Sequence, residues 1–407
     1  MTQLRKWLIS LLFLSGTVAV AQNRVPAASF FAGLDSLKAG KDTVISIVHL
    51  GDSHIQAGFL TGQVMRLFQE RFGNAGRGWV APYKLGRSNQ PTDYFITSDA
   101  REWIYGRCIQ NTRKCPIGIG GVGVQNAASS LDLSVGVKPG ETESYEFCKA
   151  IVYRGESSAP LAPASVMRDS ADVAFSRTPS APGVLADTIR LQSMTTNLNL
   201  HTEKRQAGAY ISDKELQNLY FGFTLINEKP GVLYHSVGVN GAMYVNYTTE
   251  NYVRQLALLN PDLLIVSLGT NETFGKRFNI TEFTNQIRNF ITLVRQHIPD
   301  AAILLTTPPE CYKQVWVDKK KVYVRNDNSE KAARAIVGFA EAEGLGCWDL
   351  FSAAGGKNSS KEWFSKGWMG RDRVHFKPAG YEKQGRMLFE ALMDMYNSQS
   401  NNQDAEQ

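Results

Sequence analysis

The feature that most limits how this chain can fold is an interruption. Strand and helix patterns alternate from about residue 43 to Lys84, stop, and resume at about Gly231. Val44 to Leu50 is an apolar, β-branched run, the pattern of a buried strand. A Gly51-Asp52-Ser53 turn ends it. Residues 56–72 follow, with Leu60, Val64, Leu67 and Phe68 at helical spacing and Gly73 as a stop. After the interruption, residues 232–237, 263–268, 301–306 and 347–350 read as strands. Helices are expected between them: one ending near Leu259, one capped by Thr281, one over residues 329–343, and a last one from Pro378. Strands alternating with helices build a parallel sheet with helices on both faces.

The intervening stretch has another texture. Short alternating runs recur at residues 93–97, 102–107, 144–153, 171–175, 188–191, 196–201 and 219–226, separated by clusters of Gly, Pro, Ser and Asn. That is the pattern of an all-β sandwich. Gly118-Ile119-Gly120-Gly121-Val122-Gly123 matches the dinucleotide-binding glycine spacing by letter, but no strand–helix context surrounds it, so it reads as a glycine-rich β turn or bulge. The expected fold is α/β, a three-layer α/β/α domain carrying an inserted all-β sandwich. Residues 22–85 and 231–397 form the α/β domain, 86–230 the insert, and 398–407 a disordered tail.

Residues 1–21 read as a signal peptide: Arg5 and Lys6, an apolar stretch from Trp7 to Val18, then Ala19-Val20-Ala21 before Gln22. No later segment approaches the ~18 uninterrupted apolar residues of a membrane span. The mature protein is therefore expected to be exported, periplasmic or secreted, with no membrane span. The net charge of +6 comes with no dense basic patch, and Lys319-Lys320-Lys321 reads as a solvated face, so no nucleic-acid partner is expected. The five cysteines do not have zinc-site spacing; Cys108 and Cys115 either close a short disulfide or are buried free thiols. Oligomeric state is not legible.

Nucleophilic acyl transfer needs a hydroxyl, a base, a group that orients the base, and donors for the oxyanion. Ser53 supplies a hydroxyl at the carboxyl end of a strand, where ligands bind in open α/β sheets. Asp372-Arg373-Val374-His375 supplies a carboxylate and an imidazole three residues apart, close enough for the carboxylate to fix the ring's tautomer. Gly241 offers a backbone N–H with no side chain in the way, and Asn271 a side-chain amide. Each alone has a plain alternative, since Gly-Asp-Ser, Asn and Gly are ordinary turn residues and Asp-x-x-His is common. Their joint occurrence at strand ends carries the argument.

In Gly51-Asp52-Ser53, Gly238-Val239-Asn240-Gly241, Gly269-Thr270-Asn271-Glu272 and Asp372-Arg373-Val374-His375, in that order, the chain resembles the SGNH (GDSL-type) esterase superfamily. The resemblance implies a flavodoxin-like hydrolase domain, Ser53 as nucleophile, His375 as base and Asp372 as its orienter. It also implies an oxyanion hole from the Ser53 and Gly241 backbones and the Asn271 side chain, with no metal and no organic cofactor. His54 stands where the superfamily usually has leucine, and Glu272 where it usually has aspartate. His54 and the β insert resemble the bacterial peptidoglycan O-acetylesterases of this superfamily, whose inserted β domain is carbohydrate-binding-like. That implies removal of O-acetyl groups from a cell-wall polysaccharide through an acetyl-serine intermediate. The competing readings are an acetylxylan or other glycan esterase, a GDSL lipase, an O-acetyltransferase, and a non-catalytic glycan-binding protein. His54, Trp363 and Trp368 are candidates for sugar contact, both tryptophans being equally readable as packing residues.

Overall fold

The computed structural model describes residues 28–138, 140, 145–164, 170–203, 218–275 and 277–405; the leader read at residues 1–21 lies outside them. Five apolar runs form one parallel sheet: β1 (Val44–Gly51), β2 (Gly231–Gly238), β3 (Leu263–Ser267), β4 (Ala302–Thr306) and β5 (Gly346–Trp348), in the order β2-β1-β3-β4-β5. Successive strand residues point to opposite faces. Ile45, Ile47, Leu263, Ile265 and Leu304 enter one core, shared with Phe30, Leu34, Val64, Phe68, Leu388 and Leu392 of the helices Ala28–Lys38, Phe59–Phe72 and Pro378–Ala405. Val48, Leu50, Leu264, Val266 and Leu305 enter another, with Phe283, Ile287, Ile291, Ile336 and Phe339 of the helices Ile280–His297 and Asp327–Ala342. Burial on both faces is why these strands read as unbroken apolar runs. This is the three-layer α/β/α arrangement with the flavodoxin-like strand order.

Several bounds differ from the expectation. The helix expected to cap at Thr281 starts at Ile280, because Asn279 accepts the Glu282 amide at 3.0 Å. The helix expected to end near Leu259 is broken into Tyr244–Tyr247, Glu250–Leu256 and a 3₁₀ turn Ala257–Leu259, since Thr249 begins a fresh cap. The tail expected to be disordered after Asn397 continues the last helix to Ala405. No glycine or proline interrupts residues 386–405, and extending a helix costs far less than nucleating one.

Among the described residues, the middle of the chain forms a seven-stranded and a four-stranded antiparallel sheet. Phe147, Val152, Ile189 and Phe223 of the first and Ile96, Leu133, Val135 and Leu198 of the second share one core. The strand Gly78–Val80 pairs with Phe223–Leu225 of the larger sheet, so β structure begins ahead of residue 86. Three residues are too few for alternation to register. The chain leaves and re-enters the α/β layer side by side: the Asn227 amide donates to the Ala75 carbonyl at 3.1 Å, and its side chain to Asn74 at 2.8 Å. Cys108 and Cys115 are free thiols, so the disulfide reading does not hold. A hairpin, Tyr312–Val317 with Lys320–Arg325, stands between β4 and the Asp327–Ala342 helix where sequence analysis had placed no strand.

Within the larger β sheet, Arg154 and Asp187 are buried and bonded at 2.5 Å. Their remaining polar atoms are also served: Arg154 donates to the Ser158 carbonyl at 2.6 Å, and Asp187 accepts the Ser176 amide at 2.6 Å. Removing one partner strands the other's charge in the core. Asp187→Ala is expected to cost about 3–5 kcal/mol in urea unfolding; a loss below about 1 kcal/mol would show that water replaces the carboxylate there.

Candidate active site

The site is assembled by register. Gly51, the last residue of β1, is level with Gly238 of β2 and Ser267 of β3. The turns that follow these three strands therefore open on one edge of the sheet. Ser53 begins the short helix Ser53–Gln56. Gly238 has to be glycine, because a Cβ there would lie 2.4 Å from the Gln56 backbone nitrogen. Three residues on, Gly241 has φ +83°, a left-handed conformation that glycine adopts without strain. Gln56 ties the two turns together: its Oε1 accepts the Asn240 amide at 2.7 Å, and its Nε2 donates to the Asn89 carbonyl at 2.6 Å.

The fourth piece is the loop before the last helix. The Gly370 amide donates to the His375 carbonyl at 2.7 Å and the Arg373 amide to the Gly370 carbonyl at 3.1 Å, with Arg373 at φ +56°. Asp372 sits inside this turn. Its Oδ1 accepts the Val374 and His375 amides at 3.0 and 3.1 Å, and its Oδ2 bonds His375 Nδ1 at 2.7 Å. The opposite ring nitrogen, Nε2, lies 2.9 Å from Ser53 Oγ. Hydroxyl, imidazole and carboxylate are thus in one line, the order that general-base activation of a hydroxyl requires.

The three carboxyls around this line differ in environment. Burial acts upward on Asp372, but the hydrogen bonds from the His375 ring and from the two amides outweigh it and hold the carboxyl below its ordinary range. Asp372 is therefore the anion of the group. Asp52 is fully buried, and burial raises it to about 7 against the opposing bond from the His54 amide and the charge of His375. Glu272 is likewise raised to about 7 by burial, with the Tyr244 amide bond to its Oε1 opposing.

Asn271 is turned inward. Its Nδ2 donates to Asp52 Oδ2 at 3.1 Å and to the Ala242 carbonyl at 3.0 Å. Asp52 is thereby a link that sequence reasoning missed, capping the Ser53 helix with one oxygen and holding Asn271 with the other. An aspartate between a strand and a helix start is a capping signal, but its second bond spans the sheet and has no local signature.

His54 and Trp363 are not placed for sugar contact. His54 is only 7% exposed, its Nδ1 is 3.0 Å from the Tyr381 hydroxyl, and its ring packs 5.4 Å from that of His375. Burial lowers it to about 3, so it is a neutral support beneath the imidazole. Trp363 is 4% exposed, and its Nε1 donates to the Ala354 carbonyl at 2.9 Å. Trp368 is half-buried, with Lys366 and Lys383 over its ring. Phe364 beside the loop is 36% exposed and lies 4.5 Å from the Arg373 guanidinium. Among the described residues, no group of three or more His, Cys, Asp or Glu side chains is placed to hold a metal, and no helix is long and apolar enough to cross a membrane.

Residues 207–383 match the GDSL-like Lipase/Acylhydrolase family. Among solved structures, the chain is similar to one described as a peptidoglycan O-acetylesterase in action, with 21% identity, 91% of this chain and 96% of that chain covered, and a TM-score of 0.69. This likeness takes in both the parallel and the antiparallel sheets. A carbohydrate esterase family 3 protein from Talaromyces cellulolyticus is 17% identical over 41% of this chain and 73% of that one, with a TM-score of 0.31. A GDSL-like lipase from Bacteroides thetaiotaomicron VPI-5482 is 16% identical over 40% and 76%, also at 0.31. Comparison with curated proteins found no match.

The two buried carboxyls make stability depend on pH in a defined sense. With folded values near 7, above the ordinary carboxylate range, both favour the protonated folded state. Their contribution is complete at acidic pH and is lost as pH rises through about 7. Glu272→Gln cannot ionise and still offers an acceptor to Tyr244. Its melting temperature relative to the parent protein is expected to improve by a few degrees from pH 5 to pH 8. A constant difference across that range would show that Glu272 is ionised throughout.

Proposed function

We propose that the chain, whose residues 207–383 match the GDSL-like Lipase/Acylhydrolase family, is an exported SGNH (GDSL-type) esterase that removes O-acetyl groups from peptidoglycan. Ser53 is the nucleophile in this reading, His375 the general base and Asp372 the residue that orients the base. The observation that carries it is the line from Ser53 Oγ to His375 Nε2 at 2.9 Å and from His375 Nδ1 to Asp372 Oδ2 at 2.7 Å.

The reaction runs in two halves. Ser53 Oγ attacks the acetyl carbonyl carbon as His375 Nε2 takes the hydroxyl proton. The tetrahedral oxyanion is held by the Ser53 and Gly241 backbone N–H groups and by Asn271 Nδ2, which shares or yields its bond to Asp52 at that moment. Collapse breaks the bond to the sugar oxygen, and His375 returns the proton to that leaving hydroxyl. Water then attacks the acetyl-serine carbonyl, giving one proton to His375, which passes it to Ser53 Oγ as the acyl bond breaks; acetic acid leaves and ionises in solvent. Asp372, an anion throughout, stabilises the imidazolium in both halves.

The substrate class is supported by the near full-length fold likeness to a structure described as a peptidoglycan O-acetylesterase, by the β insert, and by the leader read at residues 1–21. Measuring acetate release from O-acetylated peptidoglycan and from acetylated xylan side by side tests it. Release from peptidoglycan that is absent in Ser53→Ala is expected. Release from xylan alone would move the protein to glycan foraging, and an active Ser53→Ala variant would end the nucleophile assignment. Asn271→Ala is expected to lower kcat by roughly 10²–10³-fold, the usual cost of one oxyanion donor. An unchanged kcat would leave the oxyanion to the two backbone groups.

A further inference from the structure

The hairpin Tyr312–Val317/Lys320–Arg325 has no part in the chemistry above, yet it is built onto the catalytic loop. At its base the Tyr312 amide donates to the Arg373 carbonyl at 2.9 Å. The Arg373 side chain, from between Asp372 and His375, lies 5.3 Å from the Tyr312 ring and 5.2 Å from the Tyr323 ring. Asn326, just after the second strand, donates to Thr273 Oγ1 at 2.8 Å, two residues beyond Asn271. The base is thus fixed to two of the four turns that form the site.

Directly paired residues of an antiparallel hairpin share a face. The pairs Tyr312–Arg325, Gln314–Tyr323 and Trp316–Lys321 therefore make one strip. It starts at Arg373 and reaches Trp316 four residues out, roughly 14 Å away at strand rise. Trp316 is 68% exposed, which is unusual for the largest apolar side chain, and Lys321 Nζ stands 5.3 Å from its ring. Val317 beside it is also exposed. Around the tip, Lys319, Lys320 and Lys321 are exposed and oppose only Asp318 within the turn. Among the described residues, none of these three lysines forms an ion pair, whereas Arg325 at the base is already paired with Asp327 and Glu330. An exposed indole stacks on a pyranose ring, and free ammonium groups bind carboxylates.

We propose that this hairpin is an arm that grips the polymer next to the scissile ester, Trp316 under a sugar ring and Lys320 and Lys321 on the carboxylates of the stem peptides. The proposal rests on the peptidoglycan reading above, because a neutral xylan offers the lysines nothing. It also separates two roles along the hairpin: the base, with Tyr312 and Tyr323 against Arg373, holds the catalytic loop, and the tip, with Trp316 and the lysines, meets an anionic strand.

The test uses the double variant Trp316→Ala/Lys321→Glu of the full chain, with circular dichroism to confirm folding. On 4-nitrophenyl acetate, too small to reach the tip, kcat/KM is expected to stay within twofold of the parent. On insoluble O-acetylated peptidoglycan it is expected to fall about tenfold or more, and the parent's advantage is expected to shrink at high salt. Equal rates for parent and variant on the polymer would overturn the arm, as would an equal loss on both substrates, which would mean the hairpin acts only by holding the loop. Co-sedimentation with de-O-acetylated sacculi separates this from a failure of the substrate reading. If the parent releases no acetate from peptidoglycan, the substrate reading fails. The arm then stands only if parent protein sediments with sacculi and the variant does not.

Discussion

The turns that carry Ser53, Gly241 and Asn271 open on one edge of the sheet because hydrogen-bonded strands cannot slide. Pairing β1 with β2 sets Gly51 against Gly238, and pairing β1 with β3 sets Gly51 against Ser267. A slip of one residue in either ladder would exchange the two faces of a strand that is apolar on both, which the packing would partly forgive. A slip in the β1–β2 ladder would also carry Gly238 away from the Gln56 backbone and put a side chain where only 2.4 Å is free. The glycine therefore makes the register intolerant where apolar pairing alone would leave it loose. Polar bonds then cross the strand ends, from Gln56 to Asn240 and from Asp52 to Asn271, and fix turns that backbone pairing does not reach.

The electrostatics follow from depth. Asp372 lies near the surface within a turn that directs two amides and an imidazole at it, so it keeps its charge. Asp52 and Glu272 lie deep and lose theirs near neutrality. One negative charge is thus aligned behind His375, while the two deeper acids are inclined to neutrality. His54, uncharged and wedged between Tyr381 and His375, adds support without a competing positive charge.

The parallel sheet was legible because strands covered on both faces leave unbroken apolar runs, and the Ser53, Asp372 and His375 line because its members sit at strand ends or within one short loop. The fine structure was less so. Asn279 outcompeted Thr281 as a cap by position alone. Gly78–Val80 is too short to show a period. The Tyr312–Arg325 hairpin shows no period of two, Val315-Trp316-Val317 and Val322-Tyr323-Val324 each running unbroken, and its turn is Asp318-Lys319 at φ +48° and +63° with no glycine to mark it. The inward turn of Asn271 and the burial of Trp363 and His54 depend on partners more than a hundred residues distant or on packing, and neither leaves a local trace.

The insert also bears on how the chain reaches this state. His49 of β1 and Tyr234 of β2 touch at 2.7 Å although they are 185 residues apart in sequence. Such a loop is entropically expensive to close, and topologies dominated by distant pairings fold slowly. Asn227 on Ala75 and Asn74 brings the two ends of the intervening segment together. Once the β sheets have formed, the effective loop between β1 and β2 shrinks to residues 52–75 and 227–230, the first of which hold the Phe59–Phe72 helix. The β domain is in this sense a clasp: with its two ends held together at Asn74 and Asn227, β1 meets β2 over a shorter loop than their separation in sequence, and the line from Ser53 to His375 joins residues from opposite ends of the chain.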